Sequence, residues 1–336
     1  MFSMCSVLVT LEKGVIRNAS IDCEDKDLAL VSLIENNSVV IIRGATGSGK
    51  STQLPQFVLD HYHEKNAPCN LVVTQPHKIG ASSIARWVAR QRKCALGSLV
   101  GYQVGLEKMA SEHTRLIYMT TGVLLQKVVQ AKSLTEYSHI FIDEVHERTE
   151  ELDFLLLVIR KLLFSNSRRV RVILMSATIN CKEFAEYFGT PLRSQNPVFE
   201  VEGAPYAIEQ FYLDDLRGLI PISQAVPLHW DEPGISVQMY NIAISLIQKF
   251  DTMEDQDQSP KEETRGVMKL PERGSVLVFL PGLAEIEYMQ DALSKLGSRR
   301  LQVYPLHSTV TREEQNEVFL VPVAGYRKVT VGSIPP

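Results

Sequence analysis

Five short runs of apolar, often β-branched residues recur between residues 38 and 178, and longer segments of helical character separate them. Uninterrupted apolar runs of this kind are typical of strands that are buried on both faces of a parallel sheet, with crossover helices between them. The pattern therefore predicts an α/β fold with a doubly wound sheet. The runs are Val39 to Ile42, Leu71 to Thr74, Leu116 to Met119, His139 to Ile142 and Val170 to Met175.

A second α/β unit is indicated further along the chain. The run Val276 to Leu280 is followed by Pro281, Gly282 and a helix-like segment from Glu285 to Leu296. A length of 336 residues also suggests about two domains. We predict an N-terminal lead over residues 1–21, a first domain over 22–202 and a second, partial domain over 203–336. The acidic, polar segment 251–265 is expected to be a flexible surface loop.

The composition indicates a class of protein but does not identify binding partners. With 45% hydrophobic and 22% charged residues, the chain has the composition of ordinary globular proteins. A net charge of -4 means that a nucleic-acid partner would need a locally basic channel. The five cysteines lack zinc-ligand spacing and are expected to be reduced thiols. No run approaches the roughly 20 apolar residues of a membrane span, so we expect a cytosolic protein without an anchor.

A glycine-rich segment after the first apolar run fits the pattern G-x-x-x-x-G-K-[ST] and precedes a helix-like segment. In that context backbone N–H groups point at phosphates, Lys50 reaches the terminal phosphates, and Ser51 ligates magnesium. The predicted nucleotide-binding residues are Gly44, Ala45, Thr46, Gly47, Ser48, Gly49, Lys50, Ser51 and Thr52.

An acidic pair, Asp143 and Glu144, follows the fourth apolar run. A carboxylate at that end of a parallel strand faces the same crevice as the phosphate loop. We expect Asp143 to hold magnesium and Glu144 to position and deprotonate the attacking water. By itself such a pair is more often a solvated loop or a helix cap. Ser176 to Thr178 ends the next run and is a candidate γ-phosphate sensor, with an ordinary turn or cap as the alternative.

These and other segments resemble, in chain order, the motifs of DEAH-box RNA helicases. The resemblance covers roughly residues 22–328. It implies two RecA-like domains, ATP and Mg²⁺ as cofactors, single-stranded RNA as a partner, and catalytic roles for Lys50, Asp143, Glu144 and His146. The matching segments are Gly44 to Thr52, Thr74 to Pro76, Thr120 to Gly122, Asp143 to Thr149, Ser176 to Thr178 and Leu280 to Gly282.

Val145, in the third position of the acidic motif, together with Arg86 and Trp87, Tyr102 to Lys108 and Gly325 to Lys328, is most similar to the spindle-E and tudor-domain-containing helicases of the Piwi-interacting RNA pathway. That similarity implies germline transposon silencing with Piwi-pathway proteins in cytoplasmic granules (nuage).

The resemblance also implies contacts with RNA phosphates and sugars, which give affinity without base recognition. His77 stands where arginine is usual in the family, and an ordinary surface histidine at a turn is the alternative. Two basic clusters, Arg86 to Lys93 and Arg168 to Arg171, are better interpreted as solvated faces than as RNA contacts. The implied RNA-binding residues are Gln75, Pro76, His77, Lys78, Thr120, Thr121, Gly122 and Ser308.

Trp87 takes the place of a family arginine that stacks on adenine, and Phe319 is the candidate for the opposite face. Because stacking tolerates any base, weak discrimination among nucleotides is expected. Packing of Trp87 in the core is the alternative.

Beyond Thr330, the family pattern calls for a strand ending in Thr-Asn-Ile-Ala-Glu and then for Gln-x-x-Gly-Arg-x-Gly-Arg, whereas the sequence has Val331 to Pro336. We therefore expect this chain to bind ATP but to show little RNA-stimulated hydrolysis and no unwinding. Two rival interpretations are a nucleotide-dependent binding module without turnover and an unrelated phosphate-loop switch. Thr120 to Gly122 and the second α/β unit disfavour the switch.

Overall fold

The computed structural model describes residues 24–45, 47–177, 181–189, 196–201, 209–220, 235–257, 273–296, 300–307 and 309–333. These residues fall into two compact units, the first within 17–206 and the second within 207–336. The predicted lead at 1–21 and the predicted boundary between residues 202 and 203 lie outside the described residues.

The first unit is built on an eight-stranded sheet in the order β4-β3-β5-β2-β6-β7-β1-β8. Every neighbouring pair is parallel except β3 with β4. The doubly wound α/β fold predicted from the apolar runs is confirmed. The strands are β1 (Val39–Gly44), β2 (Leu71–Gln75), β3 (Val100–Val104), β4 (Glu107–Met109), β5 (Leu116–Thr120), β6 (His139–Ile142), β7 (Arg171–Ser176) and β8 (Val198–Val201).

Helices cover both faces of this sheet, which explains why its strands are apolar without alternation. Val39 and Ile41 point into the core beneath α4, α5 and α6, whereas Val40 and Ile42 point into the core beneath α1, α2 and α3. Burying each such side chain is worth about 1.5–3 kcal/mol. The helices are α1 (Glu24–Glu35), α2 (Gln53–Glu64), α3 (Lys78–Gln91), α4 (Thr121–Ala131), α5 (Glu150–Ser165) and α6 (Cys181–Tyr187).

The carboxyl ends of the parallel strands meet at one edge of the sheet, and the predicted motifs follow directly after them. The segment after β1 leads into α2, the segment after β2 into α3, and the segment after β5 into α4. After β6 the chain forms a 3₁₀ turn, Val145–Glu147, before Thr149 caps α5 by accepting a hydrogen bond from the Leu152 amide. One edge therefore gathers groups that are far apart in sequence.

The second unit contains a three-stranded parallel sheet in the order β10-β11-β9. Alternating residues of its strands, such as Val276, Val278 and Val331, are buried against Ile286 and Met289. A second α/β unit was predicted here and is confirmed. Its elements are α7 (Val237–Asp257), β9 (Val276–Leu280), α8 (Leu283–Ser294), β10 (Leu301–Leu306), α9 (Arg312–Glu317) and β11 (Arg327–Ser333).

The prediction of a flexible loop over 251–265 is wrong for its first part, because α7 continues through Asp257. Asp251 and Glu254 lie one turn apart and bind the fully buried Arg327, with N–O distances of 2.6 and 2.7 Å. Arg273 lies 3.0 Å from Asp251. These acidic residues are thus structural partners of a buried arginine, not solvated loop residues. Residues 258–265 lie outside the described residues.

Of the helices that the structure describes, none combines the length and the apolar character needed to cross a bilayer.

Candidate active site

The phosphate loop between β1 and α2 depends on its glycines. Gly47 and Gly49 have φ values of +84° and +86°, a region in which side chains are strained. A Cβ on Gly44 would lie 2.8 Å from the Ser48 hydroxyl oxygen, which is itself buried without a hydrogen-bond partner. The loop therefore forms a tight cradle with an unsatisfied polar group. Thr46 lies outside the described residues.

Lys50 is 5% exposed, and its ammonium group lies within the cradle. Its Nζ donates to the carbonyl oxygens of Gly44 and Ala45, at 2.5 and 2.9 Å. Burial lowers the pKa of Lys50, while the carboxylates of Asp143 and Glu144 oppose that shift. A buried ammonium beside a glycine-rich turn is the arrangement expected of a group that receives phosphate oxygens.

Asp143, directly after β6, is 2% exposed. Its carboxylate accepts hydrogen bonds from Gln75 Nε2 at 2.5 Å, from the Glu144 amide at 2.9 Å and from the Ser51 hydroxyl. Burial raises the pKa of Asp143, and these donors, with Lys50, oppose the shift. Mg²⁺ prefers oxygen ligands and keeps several waters or phosphate oxygens. The adjacent Ser51 hydroxyl and Asp143 carboxylate therefore fit the donor set that this cation needs.

Glu144 has several features that are expected of a proton acceptor. Its backbone is left-handed, with φ +51°, and its side chain is 27% exposed. Burial and the neighbouring Asp143 charge raise its pKa, while His146 and Lys50 act against the rise. His146 Nδ1 lies 3.4 Å from Glu144 Oε2. A left-handed backbone conformation is uncommon for residues other than glycine. Where it occurs, it is often at a functional site. A carboxylate with a raised pKa is also a better general base near neutral pH.

The match with known proteins agrees with this geometry. Residues 26–187 match the family described as DEAD/DEAH box helicase. This matched segment contains both the phosphate loop and the acidic motif. The family resemblance drawn from the motifs, and the RecA-like fold that it implied, are confirmed.

Several relatives are similar to the chain over 90% of its length. The ATP-dependent RNA helicase TDRD9 of Danio rerio is 74% identical over 308 residues, which cover 90% of the chain and 23% of that protein. The human TDRD9 is 62% identical over 307 residues, 90% of the chain and 22% of that protein. The probable ATP-dependent RNA helicase spindle-E of Culex quinquefasciatus is 44% identical over 316 residues, again 90% and 22%. The chain spans less than a quarter of the length of these relatives.

The residues that are expected to contact RNA differ in their exposure to solvent. His77 and Lys78 are exposed and Pro76 is partly exposed. Gln75 is 6% exposed and its amide faces Asp143. It is still part of β2, which is buried along its whole length. RNA contact by the Gln75 side chain stays a prediction.

The second segment expected to contact RNA is also largely buried. Thr120 and Thr121 are 9% and 3% exposed, and the Thr121 hydroxyl donates to the Gln75 carbonyl oxygen at 3.4 Å. A Cβ on Gly122 would lie 2.8 Å from a carboxylate oxygen at the end of the flexible Glu151 side chain. RNA contact by this segment stays a prediction. Ser308 lies outside the described residues, as does Thr178 of the sensor segment.

His77 Nε2 lies 3.8 Å from Glu147 Oε2. This exposed histidine therefore lies next to the acidic motif. The arginines of α3 have partners within the protein: Arg92 pairs with Asp60, and Arg86 donates to the Tyr102 hydroxyl at 3.3 Å. These partners favour the structural interpretation of that basic cluster over RNA binding.

Trp87 is partly buried on α3 and packs against the core that includes Val88 and Leu116. Phe319, in the second unit, is 55% exposed. The core-packing alternative for Trp87 thus has direct structural support, and adenine stacking by Trp87 and Phe319 stays a prediction.

Sequence analysis missed Tyr118, whose hydroxyl donates to the Ser51 carbonyl oxygen at 3.0 Å. Burial raises the pKa of this phenol, which keeps it a hydrogen-bond donor beneath the phosphate loop. The contact joins β5 to the start of α2, two elements that no local sequence pattern relates. The only available signal was a polar hydroxyl in the middle of an otherwise apolar run.

Proposed function

We propose that this chain supplies the ATP-binding motor core of an ATP-dependent RNA helicase, which couples ATP hydrolysis to the remodelling of single-stranded RNA. One observation carries the proposal: Lys50, Asp143 and Glu144 are clustered at one edge of the sheet, and their charges influence one another. That arrangement combines phosphate binding, a cation ligand and a proton acceptor.

Each group has a distinct role in the proposed reaction. Lys50 holds the terminal phosphates, and Ser51 and Asp143 would hold the magnesium ion. When bound, Mg²⁺ neutralises charge on the phosphate oxygens. Glu144 orients the attacking water and accepts its proton. His146, 3.4 Å from Glu144, helps to fix the position of that carboxylate.

The proposed RNA contact lies beside this cluster. His77 and Lys78 are exposed where α3 begins, directly after Gln75. A lysine at this place meets the phosphate backbone without reading bases, so we expect salt-sensitive binding with little sequence preference.

Measuring phosphate release with and without saturating single-stranded RNA tests the proposal. In a longer protein that joins this chain to a Gln-x-x-Gly-Arg-x-Gly-Arg segment, hydrolysis that RNA stimulates is the result expected of a motor. In that protein, retained ATP and RNA binding without any turnover would instead indicate the rival function, a nucleotide-dependent binding module.

The cellular role is a further part of the proposal. From the similarity to spindle-E and tudor-domain-containing helicases, we propose that the protein acts with Piwi-pathway proteins in transposon silencing, within cytoplasmic germ granules. Tagging the protein in germ cells, locating it and identifying what co-purifies would test this role. Uniform distribution without Piwi proteins would contradict it.

A further inference from the structure

Gln75 contacts two parts of the first unit, the carboxylate that follows β6 and the start of α4. Its side-chain amide donates to Asp143 Oδ2 at 2.5 Å. Its backbone carbonyl oxygen accepts from the hydroxyl of Thr121, the first residue of α4, at 3.4 Å. A single buried residue therefore touches both the proposed magnesium carboxylate and the second proposed RNA-contact segment.

The sheet explains why Gln75 occupies this position. β2 lies between β5 and β6, where Gln75 is level with Thr120 and Thr74 is level with Ile142. Gln75 consequently extends one residue past the paired end of β6, beside Asp143. A Cβ on residue 80 would lie 3.4 Å from Gln75 Oε1, so Gly80 lies directly beside the amide.

The residues that follow Gln75 are the exposed ones. Pro76 and His77 connect β2 to α3, whose first residue is Lys78, and His77 Nε2 lies 3.8 Å from Glu147 Oε2 of the turn after Asp143. Gln75 and His77 therefore each lie beside a residue of the acidic motif. A displacement of this segment would be transmitted to Asp143 through a short, buried hydrogen bond.

An amide side chain is well suited to orient the Asp143 carboxylate. Asp143 is buried, and an arginine or lysine in place of Gln75 would neutralise the carboxylate and compete with a cation for it. A neutral N–H donor orients one carboxylate oxygen while the negative charge remains available.

We propose that Gln75 is a positioning residue, which holds the Asp143 carboxylate for Mg²⁺ and transmits RNA contact at residues 76–78 to the magnesium site. This inference rests on the proposed function. It reassigns Gln75 from RNA contact to the link between the RNA and ATP sites.

The test compares affinities for a fluorescent ATP analogue in excess Mg²⁺ and in EDTA. Their ratio isolates the contribution of the cation, which a general loss of stability would not change selectively. We expect Gln75→Met to reduce this ratio roughly tenfold or more, as expected for a hydrogen bond to a charged group. Gln103→Met, the same substitution at a partly buried position of β3, is the matched control and should keep the ratio of the parent chain.

Two further variants keep the test decisive. In an Asp143→Asn background, Gln75→Met should change the ratio no further, because Gln75 acts through Asp143. Should Gln75→Met fail to fold, Gln75→Asn retains a buried amide but is too short for the 2.5 Å contact, and the same loss is expected.

Saturating single-stranded RNA supplies the second measurement. We expect RNA to shift the affinity of the parent chain for the Mg²⁺-bound analogue, and Gln75→Met to lose that shift while still binding RNA. An unchanged ratio in both Gln75 variants, or an RNA shift that survives in them, would overturn the inference. A parent chain that does not bind the analogue would instead overturn the proposed function.

Discussion

Lys50 and Asp143 are both almost completely buried, although each carries a group that is charged in water. Burial lowers the pKa of the lysine and raises that of the aspartate, so each would be driven towards its neutral form if it were alone. Their mutual attraction, and the donors around Asp143, oppose both shifts. The site is therefore organised to keep opposite charges in a closed space, where phosphate and a cation can interact with them strongly.

For Trp87, base stacking and core packing predict different results when the residue is replaced. If it stacks on the base, Trp87→Ala should weaken the binding of ATP, GTP, CTP and UTP by similar factors, because every base offers an aromatic face. Trp87→Leu keeps apolar contact with the core and separates stacking from packing. Nucleotide affinities should be measured beside thermal unfolding. If both variants lose stability but bind nucleotide like the parent chain, Trp87 is a core residue only.

At the scale of the elements, a buried histidine and a partly exposed glutamate tie the end of α1 to the start of β6. His139 is 1% exposed and its Nε2 lies 3.0 Å from Glu35 Oε1, while the Tyr62 hydroxyl donates to Glu35 Oε2 at 3.2 Å. Burial acts to raise the pKa of Glu35, but His139, Tyr62 and Arg171 together lower it from its ordinary value of 4.5. These contacts favour the ionised carboxylate.

Glu35→Gln should therefore destabilise the first unit at neutral pH by about 1.5–3 kcal/mol, the range for hydrogen bonds to a charged group. Because the folded-state pKa is depressed, the stabilisation is complete above 4.5 and is lost as the pH falls below that value. Urea unfolding across this pH range measures it. The exposed Glu64→Gln, at the end of α2, is the control. A difference between the parent chain and Glu35→Gln that stays constant down to strongly acidic pH would contradict this account.

Arg327 holds α7 against β11 through Asp251 and Glu254. Its removal leaves two carboxylates without their buried partner, so Arg327→Met should cost about 3–5 kcal/mol of unfolding free energy. The exposed Arg300→Met is the control. Adding Asp251→Asn and Glu254→Gln should recover part of the loss, which urea unfolding would reveal. A loss below about 0.5 kcal/mol in Arg327→Met, typical of a surface position, would argue against the network.

The same network shows where sequence patterns stop being informative about elements. The segment from Asp251 was predicted to be a loop because it is acidic and poor in core residues, yet it continues α7. Its partner, Arg327, is 76 residues away from Asp251 in sequence. No local pattern marks a carboxylate that will be buried against an arginine from another element.

Across the whole molecule, the structural features that could be predicted from sequence are those that depend on a strict local pattern. The runs around Ile41 and Phe141 predicted a parallel sheet, and the glycines near Lys50 predicted a phosphate loop, since both depend on neighbouring residues. The bond of Gln75 to Asp143 was not predictable, because it depends on strand order. The motif suggested RNA contact for Gln75, whereas the structure places its side chain in buried β2, against Asp143.

The most direct measurement of the central claim is a titration of the parent chain, Lys50→Ala and Glu144→Gln with a fluorescent ATP analogue, with phosphate release measured in parallel. Lys50→Ala should lose roughly 30-fold or more in affinity, because a buried charge that holds phosphate is removed. Glu144→Gln should bind like the parent chain and abolish any hydrolysis. The exposed Lys65→Ala, just after α2, should change neither. Binding by Lys50→Ala as tight as that of the parent chain would contradict the assignment of the ATP site.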